Sequence, residues 1–125
     1  MQSFKDKVAV ITGAGSGMGQ QLAINLAKEN CNLVICDINK KTIQETEEII
    51  RNYNVSCTAL NLDLRDNKNI KTLLETTLKN YNKVDLLFNN AGVVAPSSFL
   101  NLSEEDWDWC NAVSYTHLRA HETIA

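Results

Sequence analysis

Glycines crowd a short stretch near the start of the chain, directly after a run of strand-forming residues. The run Val8–Ile11 is apolar, and beyond it glycine stands at every second position, at Gly13, Gly15, Gly17 and Gly19. Apolar residues then recur at helical spacing, at Leu22, Ala23, Leu26 and Ala27. Glycine leaves room for a ligand close to the backbone, and the N–H groups at the start of a helix favour an anion. The pattern predicts a strand, a tight turn and a helix that cradle a pyrophosphate, the opening unit of a dinucleotide-binding fold.

A carboxylate stands near the end of the second apolar run, Asn32–Ile38, at Asp37. At the end of a strand it can accept hydrogen bonds from both hydroxyls of an adenosine ribose, and such bonds contribute about 1.5–3 kcal/mol each. A 2′-phosphate would meet a buried like charge there, and neighbouring Ser16 and Ile38 are neutral. Asp37 therefore favours NAD over NADP. The alternative role of Asp37 is to cap the next helix.

Polar residues also follow the third and fourth predicted strands. Asp63 and Leu64 end the run Val55–Leu64, and Asn89–Gly92 follows the run Val84–Phe88. The carboxyl ends of parallel strands meet at one edge of a sheet, and ligands bind outside that edge. We therefore expect these two groups of residues to lie in one cleft with Asp37 and with the glycine-rich segment Gly13–Gly19, called the glycine turn below.

The alternation of strands with helices predicts an α/β, doubly wound parallel sheet with strand order 3-2-1-4 and a switch point between strands 1 and 4. Helices are expected over roughly Gly17–Glu29 and Lys40–Asn52, then after the cap Asp66, and again after the cap Ser103. The inward stripe of the third helix is expected to comprise Ile70, Leu73, Leu74, Thr77 and Leu78.

Bulk composition excludes several classes of protein. The 125 residues leave room for one domain, and 44% apolar with 22% charged residues suits a globular core. A net charge of −3 gives no polycationic surface for nucleic acid, and no apolar run approaches the length of a membrane span. The four cysteines form no C-x-x-C pair, so we expect free thiols, no zinc site and a cytoplasmic location with no signal peptide.

Together these motifs resemble the short-chain dehydrogenase/reductase family, from about Lys5 to Asn111. The motifs that carry the resemblance are Thr12-Gly13-x-x-x-Gly17-x-Gly19, Asp37, Asp63-Leu64 and Asn89-Asn90-Ala91-Gly92. The resemblance implies a Rossmann-like fold and an NAD-dependent oxidoreductase that transfers a hydride between the nicotinamide and an alcohol or carbonyl substrate. It also implies a homodimer or homotetramer with the fourth helix at the subunit interface. Trp107 and Trp109, two positions apart on that helix, cannot both face the core, so one of them is expected to be either an interface anchor or simply partly exposed.

The resemblance also assigns the cofactor contacts. The turn positions are Gly13, Ser16, Gly17, Met18 and Gly19, and the backbone from Gly13 to Met18 would cradle the pyrophosphate. Asp37 would hold the adenosine ribose, and Asp63 and Leu64 would flank the adenine. Asn90 would lock the fourth strand, so that Ala91 and Gly92 pass close to the nicotinamide ribose. A plain strand-to-loop turn is the alternative for this last motif.

No catalytic residue is assigned. The serine, tyrosine and lysine of the family, the last two in Y-x-x-x-K, lie on later elements. Ser114-Tyr115 followed by Arg119 is rejected, because the family's serine is distant from its tyrosine and arginine cannot tune a phenol as a lysine ammonium does. We therefore expect this chain to be inactive. The alternatives are a non-catalytic dinucleotide-binding regulatory protein, and a genuine short protein whose tail binds a partner.

The composition of the chain breaks near residue 113. Before it stand nine lysines, two arginines and no histidine, whereas beyond it stand one arginine, both histidines and no lysine. The segment Val113–Thr123 resembles the translation of a transposase adapter used in sequencing libraries. We therefore expect 1–112 to be the native N-terminal part of a dehydrogenase domain and 113–125 an artefactual tail. His117 and His121 would otherwise pass for half a zinc site. Without a fifth strand, the fourth strand is expected to expose an apolar edge and to make the chain poorly soluble.

Overall fold

The central feature of the fold is a parallel β-sheet. A computed structural model describes residues 3–91 and the pair 123–124. The strands are β1 (Val8–Thr12), β2 (Asn32–Asp37), β3 (Cys57–Asn61), β4 (Leu86–Asn89) and β5 (Thr123–Ile124). They lie in the order β3-β2-β1-β4-β5, and every pair of neighbours is parallel. The predicted α/β architecture and the order 3-2-1-4 are confirmed.

Within residues 3–91, three helices connect β1 to β4 in turn, and local side chains fix where two of them begin. They are α1 (Gly17–Lys28), α2 (Lys40–Ile50) and α3 (Asn67–Tyr81). Asn39 caps α2 by accepting a hydrogen bond from the Thr42 N–H at 3.2 Å. Asp66 caps α3 by accepting from the Lys68 N–H at 2.9 Å, which confirms the predicted cap. Among the described residues, no helix is both long and apolar enough to cross a membrane.

Both faces of the sheet are covered, because successive residues of a strand point to opposite sides. Val8 and Val10 of β1 pack on the α3 side, in one cluster with Leu73, Leu74 and the rest of the predicted α3 stripe, except Thr77. Ala9 and Ile11 pack on the other side, in one cluster with residues of α1 and α2. All five residues of the predicted α3 stripe, Ile70, Leu73, Leu74, Thr77 and Leu78, are buried. The core therefore lies in two layers, one on each side of the sheet.

The third strand lies within the run Val55–Leu64, as predicted, and occupies only Cys57–Asn61 of it. Side-chain hydrogen bonds flank its two ends and replace a continued ladder. Asn32 Oδ1 accepts from the Ser56 N–H at 3.0 Å before the strand begins. The Asn61 amide donates to the carbonyls of Asp37 and Ile38, at 3.0 and 2.9 Å, where the strand ends. The chain thus leaves the sheet before Asp63.

The outer edge of β4 pairs with β5, contrary to the expectation from the sequence that this edge is exposed. Thr123 pairs with Leu87 and Ile124 with Phe88, in parallel register. The physical reason is that the free N–H and C=O groups of an edge strand pair readily with any extended segment. The pairing involves two residues of the tail that the composition break sets apart. The predicted fourth helix, with Ser103, Trp107 and Trp109, lies outside the described residues, as do Ser114, Tyr115 and Arg119.

The end of α2 offers a matched test of the core. Ile50 is fully buried, whereas the side chain of its neighbour Ile49 is 37% exposed. We expect Ile50→Ala to lower the free energy of unfolding by about 2–5 kcal/mol, because it leaves a cavity. Ile49→Ala should lower it by less than about 1 kcal/mol, because little apolar surface is lost. Urea unfolding followed by circular dichroism measures both, and equal losses would contradict this account of the core.

Candidate functional site

One cavity of about 470 Å³ opens at the carboxyl ends of β1, β2 and β4. Its lining comprises Gly13, Ser16, Gly17, Met18, Cys36, Asp37, Ile38, Leu62, Leu64, Asn90 and Ala91. The structure therefore brings eight of the eleven sequence-predicted site residues to one place. Of the other three, Gly19 packs behind the turn, Asp63 points its carboxylate to a neighbouring arginine, and Gly92 lies outside the described residues. Cys36, Ile38 and Leu62 line the cavity without having been predicted as site residues.

The glycine turn approaches its neighbours too closely for side chains. Gly13 has φ +64°, and a Cβ there would lie 2.9 Å from the carbonyl oxygen of Asn90. A Cβ on Gly19 would overlap the carbonyl oxygen of Gly13, so the first turn of α1 packs directly on the backbone. Gly17 has open space around it, and only its φ of +58° requires glycine. Gly13 and Gly19 are therefore required for close packing, and Gly13 and Gly17 for their backbone conformation.

The start of α1 has unsatisfied backbone donors beside the cavity. The first N–H groups of any helix have no partner within the helix. Ser16 occupies the N-cap position, yet its side chain makes no capping hydrogen bond. Ser16, Gly17 and Met18 all line the cavity. This helix end therefore provides N–H donors and a positive dipole end for an anion.

The carboxylate of Asp37 is held by two backbone N–H groups. Gly15 donates to Oδ2 at 2.8 Å, and Asn39 donates to Oδ1 at 3.0 Å. A Cβ on Gly15 would lie 2.8 Å from Asp37 Oδ2, which explains why the turn approaches the carboxylate through a glycine. An ionised carboxylate has about four acceptor positions, so each oxygen keeps capacity for a further donor. The Asp37 carboxylate is thus oriented and can still accept hydrogen bonds from hydroxyl groups.

The ends of β1 and β4 are joined through the hydroxyl of Thr12. It donates to Asn89 Oδ1 at 2.9 Å and accepts from the N–H groups of Asn90 and Ala91, at 3.0 and 3.1 Å. The Asn90 side-chain amide also donates to the Gly13 carbonyl, at 3.4 Å. These bonds hold the backbone of residues 90 and 91 against the cavity. The sequence motif includes Thr12, but sequence reasoning assigned it no task.

Two polar side chains support the glycine turn from the α1 and α2 side. Thr46 is fully buried, and its hydroxyl donates to the Ala14 carbonyl at 2.9 Å. Gln20 donates to Thr46 Oγ1 at 3.0 Å and reaches the Gly15 carbonyl at 3.5 Å. Sequence reasoning missed both residues. One signal was present, since Thr46 stands three residues after Ile43 and so shares the inward face of α2.

The remaining lining is largely apolar. Leu64 is buried, whereas Ile38 and Met18 are 53% and 79% exposed at the rim. Burial, with a smaller effect from the Asp37 charge, raises the pKa of the Cys36 thiol to about 12. Cys36 therefore stays protonated near neutral pH and is not a nucleophile. The cavity therefore combines an apolar wall, formed by Ile38, Leu62 and Leu64, with the Asp37 carboxylate and the backbone donors at the start of α1.

Asp63 lies outside the cavity lining and is bound to Arg65. Arg65 Nη2 lies 2.7 Å from Asp63 Oδ2, and Arg65 Nε lies 2.9 Å from Oδ1. This bidentate pair lowers the pKa of the Asp63 carboxyl to about 2. The predicted contact of Asp63 with an adenine therefore has to use acceptor capacity that Arg65 leaves free. Within residues 3–91 and 123–124, no three His, Cys, Asp or Glu side chains cluster as metal ligands would, and His117 and His121 lie outside this part.

Comparison with known proteins identifies the family. Residues 7–118 match the family model described as short chain dehydrogenase, so the chain belongs to that family. It is 37% identical over 106 residues to the 2-dehydro-3-deoxy-D-gluconate 5-dehydrogenase of Escherichia coli K12, covering 85% of this chain and 41% of that protein. It is 32% identical over 109 residues to a CLA biosynthesis dehydrogenase/reductase of Lactiplantibacillus plantarum, covering 87% of this chain and 38% of that protein.

A solved structure extends the comparison. A short-chain dehydrogenase/reductase from Burkholderia phymatum, crystallised in complex with NAD, is 34% identical and superposes with a TM-score of 0.71. The match covers 90% of this chain and 40% of that one. The chain therefore spans about two fifths of the length of the relatives it matches.

The Asp63–Arg65 pair generates a pH prediction. Because the folded-state pKa of Asp63 is lowered, the stabilising effect of the pair is present above the ordinary carboxyl value of 3.8 and is lost as pH falls towards 2. We expect Arg65→Gln to raise the pKa of Asp63 towards 3.8, as followed by NMR titration of its carboxyl carbon. Lys71→Gln, which removes a cation on α3 that is not bonded to Asp63, is the control and should leave the pKa of Asp63 unchanged. An unchanged Asp63 titration in Arg65→Gln would refute the assigned cause.

Proposed function

We propose that this chain forms the dinucleotide-binding half of an NAD-dependent oxidoreductase, which transfers a hydride between a nicotinamide cofactor and an alcohol or carbonyl substrate. The observation that carries the proposal is the convergence of the glycine turn, the Asp37 carboxylate and the backbone of Asn90 and Ala91 on one cavity. Membership of the short-chain dehydrogenase family supports it, as does a relative of this chain that was crystallised with NAD.

The residues present fit the adenosine and pyrophosphate parts of NAD. The open space around Gly17 leaves room for close approach of a pyrophosphate, and the donors at the start of α1 lie beside that space and favour its charge. The free acceptor positions of Asp37 suit the two ribose hydroxyls, and the apolar wall at Leu64 suits one face of the adenine. A 2′-phosphate beside Asp37 would be repelled, which disfavours NADP.

The nicotinamide half would lie towards Asn90 and Ala91, with Gly92 continuing that segment. NAD, when bound, supplies the hydride acceptor. The task of this chain's own residues is to bind and orient: Thr12 fixes the backbone of residues 90 and 91, and this fixed backbone positions the nicotinamide ribose. Proton transfer at the substrate oxygen is assigned to the serine, tyrosine and lysine that the family carries beyond this segment. The substrate class is set by those later elements.

Asp37 provides the test of cofactor choice. In the full-length protein, Asp37→Ala should weaken NAD binding at least about tenfold, because charge-assisted hydrogen bonds to the ribose are lost. NADP binding should weaken less, or strengthen, because the repulsion of its 2′-phosphate disappears as well. Isothermal titration calorimetry measures both, with Glu48→Ala, an exposed carboxylate of α2, as the control. Equal weakening of both cofactors would show that Asp37 does not select between them.

We also propose that residues 113–125 derive from a library adapter and that the native gene continues beyond Asn111. The composition break supports this, and so does the likeness of Val113–Thr123 to the adapter translation. The present chain should then give no NAD turnover above a blank, because it lacks the family's proton-transfer residues.

Resequencing the source DNA with a library made without transposase adapters tests the second proposal. We expect the reading frame to depart after Asn111 and to reach a serine and a Y-x-x-x-K motif. A frame that reads through residue 125 to an early stop codon would overturn the adapter origin. A long frame without Y-x-x-x-K would instead favour the non-catalytic dinucleotide-binding regulatory protein.

A further inference from the structure

The backbone of Ala14 and Gly15, in the middle of the glycine turn, is hydrogen-bonded to the elements around it. The Ala14 N–H donates to the Cys36 carbonyl at 3.1 Å, and the Ala14 carbonyl accepts from Thr46. The Gly15 N–H donates to Asp37, and its carbonyl accepts from Gln20. Every polar backbone group of these two residues therefore has a protein partner. These protein partners hold the turn in its conformation.

Thr46 occupies the centre of this support. Its hydroxyl donates to the Ala14 carbonyl, which belongs to another element, and its oxygen accepts from Gln20 on α1. The side chain is fully buried between α1, α2 and the turn. A buried hydroxyl that joins three elements restricts each of them, because any shift leaves polar groups unpaired.

We propose that Thr46 is a positioning residue for the pyrophosphate-binding turn, acting through the Ala14 carbonyl. This inference rests on the proposed function and deepens it. Through its hydrogen bond to the Ala14 carbonyl, Thr46 keeps Gly13 and the start of α1 in the arrangement that places N–H donors beside the cavity. A turn that is ordered beforehand loses less conformational entropy when a ligand binds, so the ligand binds more tightly.

Thr77 on α3 is a matched control. Like Thr46 it is a fully buried threonine in the middle of a helix. Its hydroxyl donates at 2.8 Å to the carbonyl of Leu73, one turn earlier in the same helix. Thr46 has the equivalent contact, at 3.2 Å from the Thr42 carbonyl. The contacts that distinguish Thr46 are those to the Ala14 carbonyl and to the Gln20 side-chain amide.

The test compares ADP, which carries the pyrophosphate, with adenosine, which lacks it. Thr46→Val removes the hydroxyl while keeping the shape of the side chain. We expect it to weaken ADP binding about five- to tenfold, because one hydrogen bond that orders the turn is lost. Adenosine binding should change by less than about twofold, because Asp37 and the apolar wall are untouched. Thr46→Ser should restore ADP binding, and Thr77→Val should bind both ligands as the unaltered chain does.

Hydrogen exchange gives a second readout that needs no ligand. In Thr46→Val the amides of Ala14 and Gly15 should exchange several-fold faster, whereas amides of α3 should not change. In Thr77→Val the turn amides should exchange as before.

The outcomes separate this inference from the proposed function. If the unaltered chain binds ADP, then unchanged ADP affinity and unchanged turn exchange in Thr46→Val would overturn the role of Thr46 alone. Equal weakening of ADP and adenosine would also overturn it, because the effect would then be a general loss of folded protein. If the unaltered chain binds neither ligand, the dinucleotide-binding proposal fails, and the role of Thr46 towards a pyrophosphate fails with it.

Discussion

The hydroxyl of Thr12 is the contact on which the candidate site depends. Thr12 is fully buried where β1 ends, and its hydroxyl bonds to the side chain of Asn89 at the end of β4 and to the N–H groups of Asn90 and Ala91 beyond it. Because β1 pairs with β2 on one side and β4 on the other, this single group joins the two halves of the sheet at their switch point. Without it, the partly buried N–H groups of Asn90 and Ala91 would lose this partner, which is costly where water has limited access.

The glycine turn extends the same constraint to the helices. Its backbone lies against Asn90 on one side and against Asp37 on the other, at distances that only glycine allows. Thr46 and Gln20 complete the enclosure from α2 and α1. The turn is therefore shaped by contacts from the end of β2, from the segment after β4 and from two helices, and its conformation depends on the fold as a whole. This rigidity suits a site that has to hold a flexible anionic ligand in one orientation.

Much of this arrangement could be predicted from the sequence because it follows from periodicity and chain order. The α3 stripe was predicted from helical spacing, and all its residues are buried. The convergence of Asp37 and Asn90 was predicted from the rule that parallel strands place their carboxyl ends at one edge. The run Val55–Leu64 was predicted to contain β3, but the sequence did not give its limits within the run, because side-chain bonds at Asn32 and Asn61 flank the strand and residue propensity does not record such bonds. The pairing of β5 with β4 was missed for a similar reason, since any extended segment can occupy a free edge.

The class of fold, the order of the strands and the glycine, aspartate and asparagine positions that meet at the cavity can all be inferred from the sequence. They follow from local pattern, because glycine, carboxylate and amide groups each have a distinct chemistry. Tertiary packing alone brings Thr46 to Ala14 and Gln20 to both of them. It also decided that the Asp63 carboxylate turns to Arg65 and not into the cavity. The reason is that a hydroxyl or a carboxylate can bond to many partners, and only the packing of distant segments brings one of them within reach.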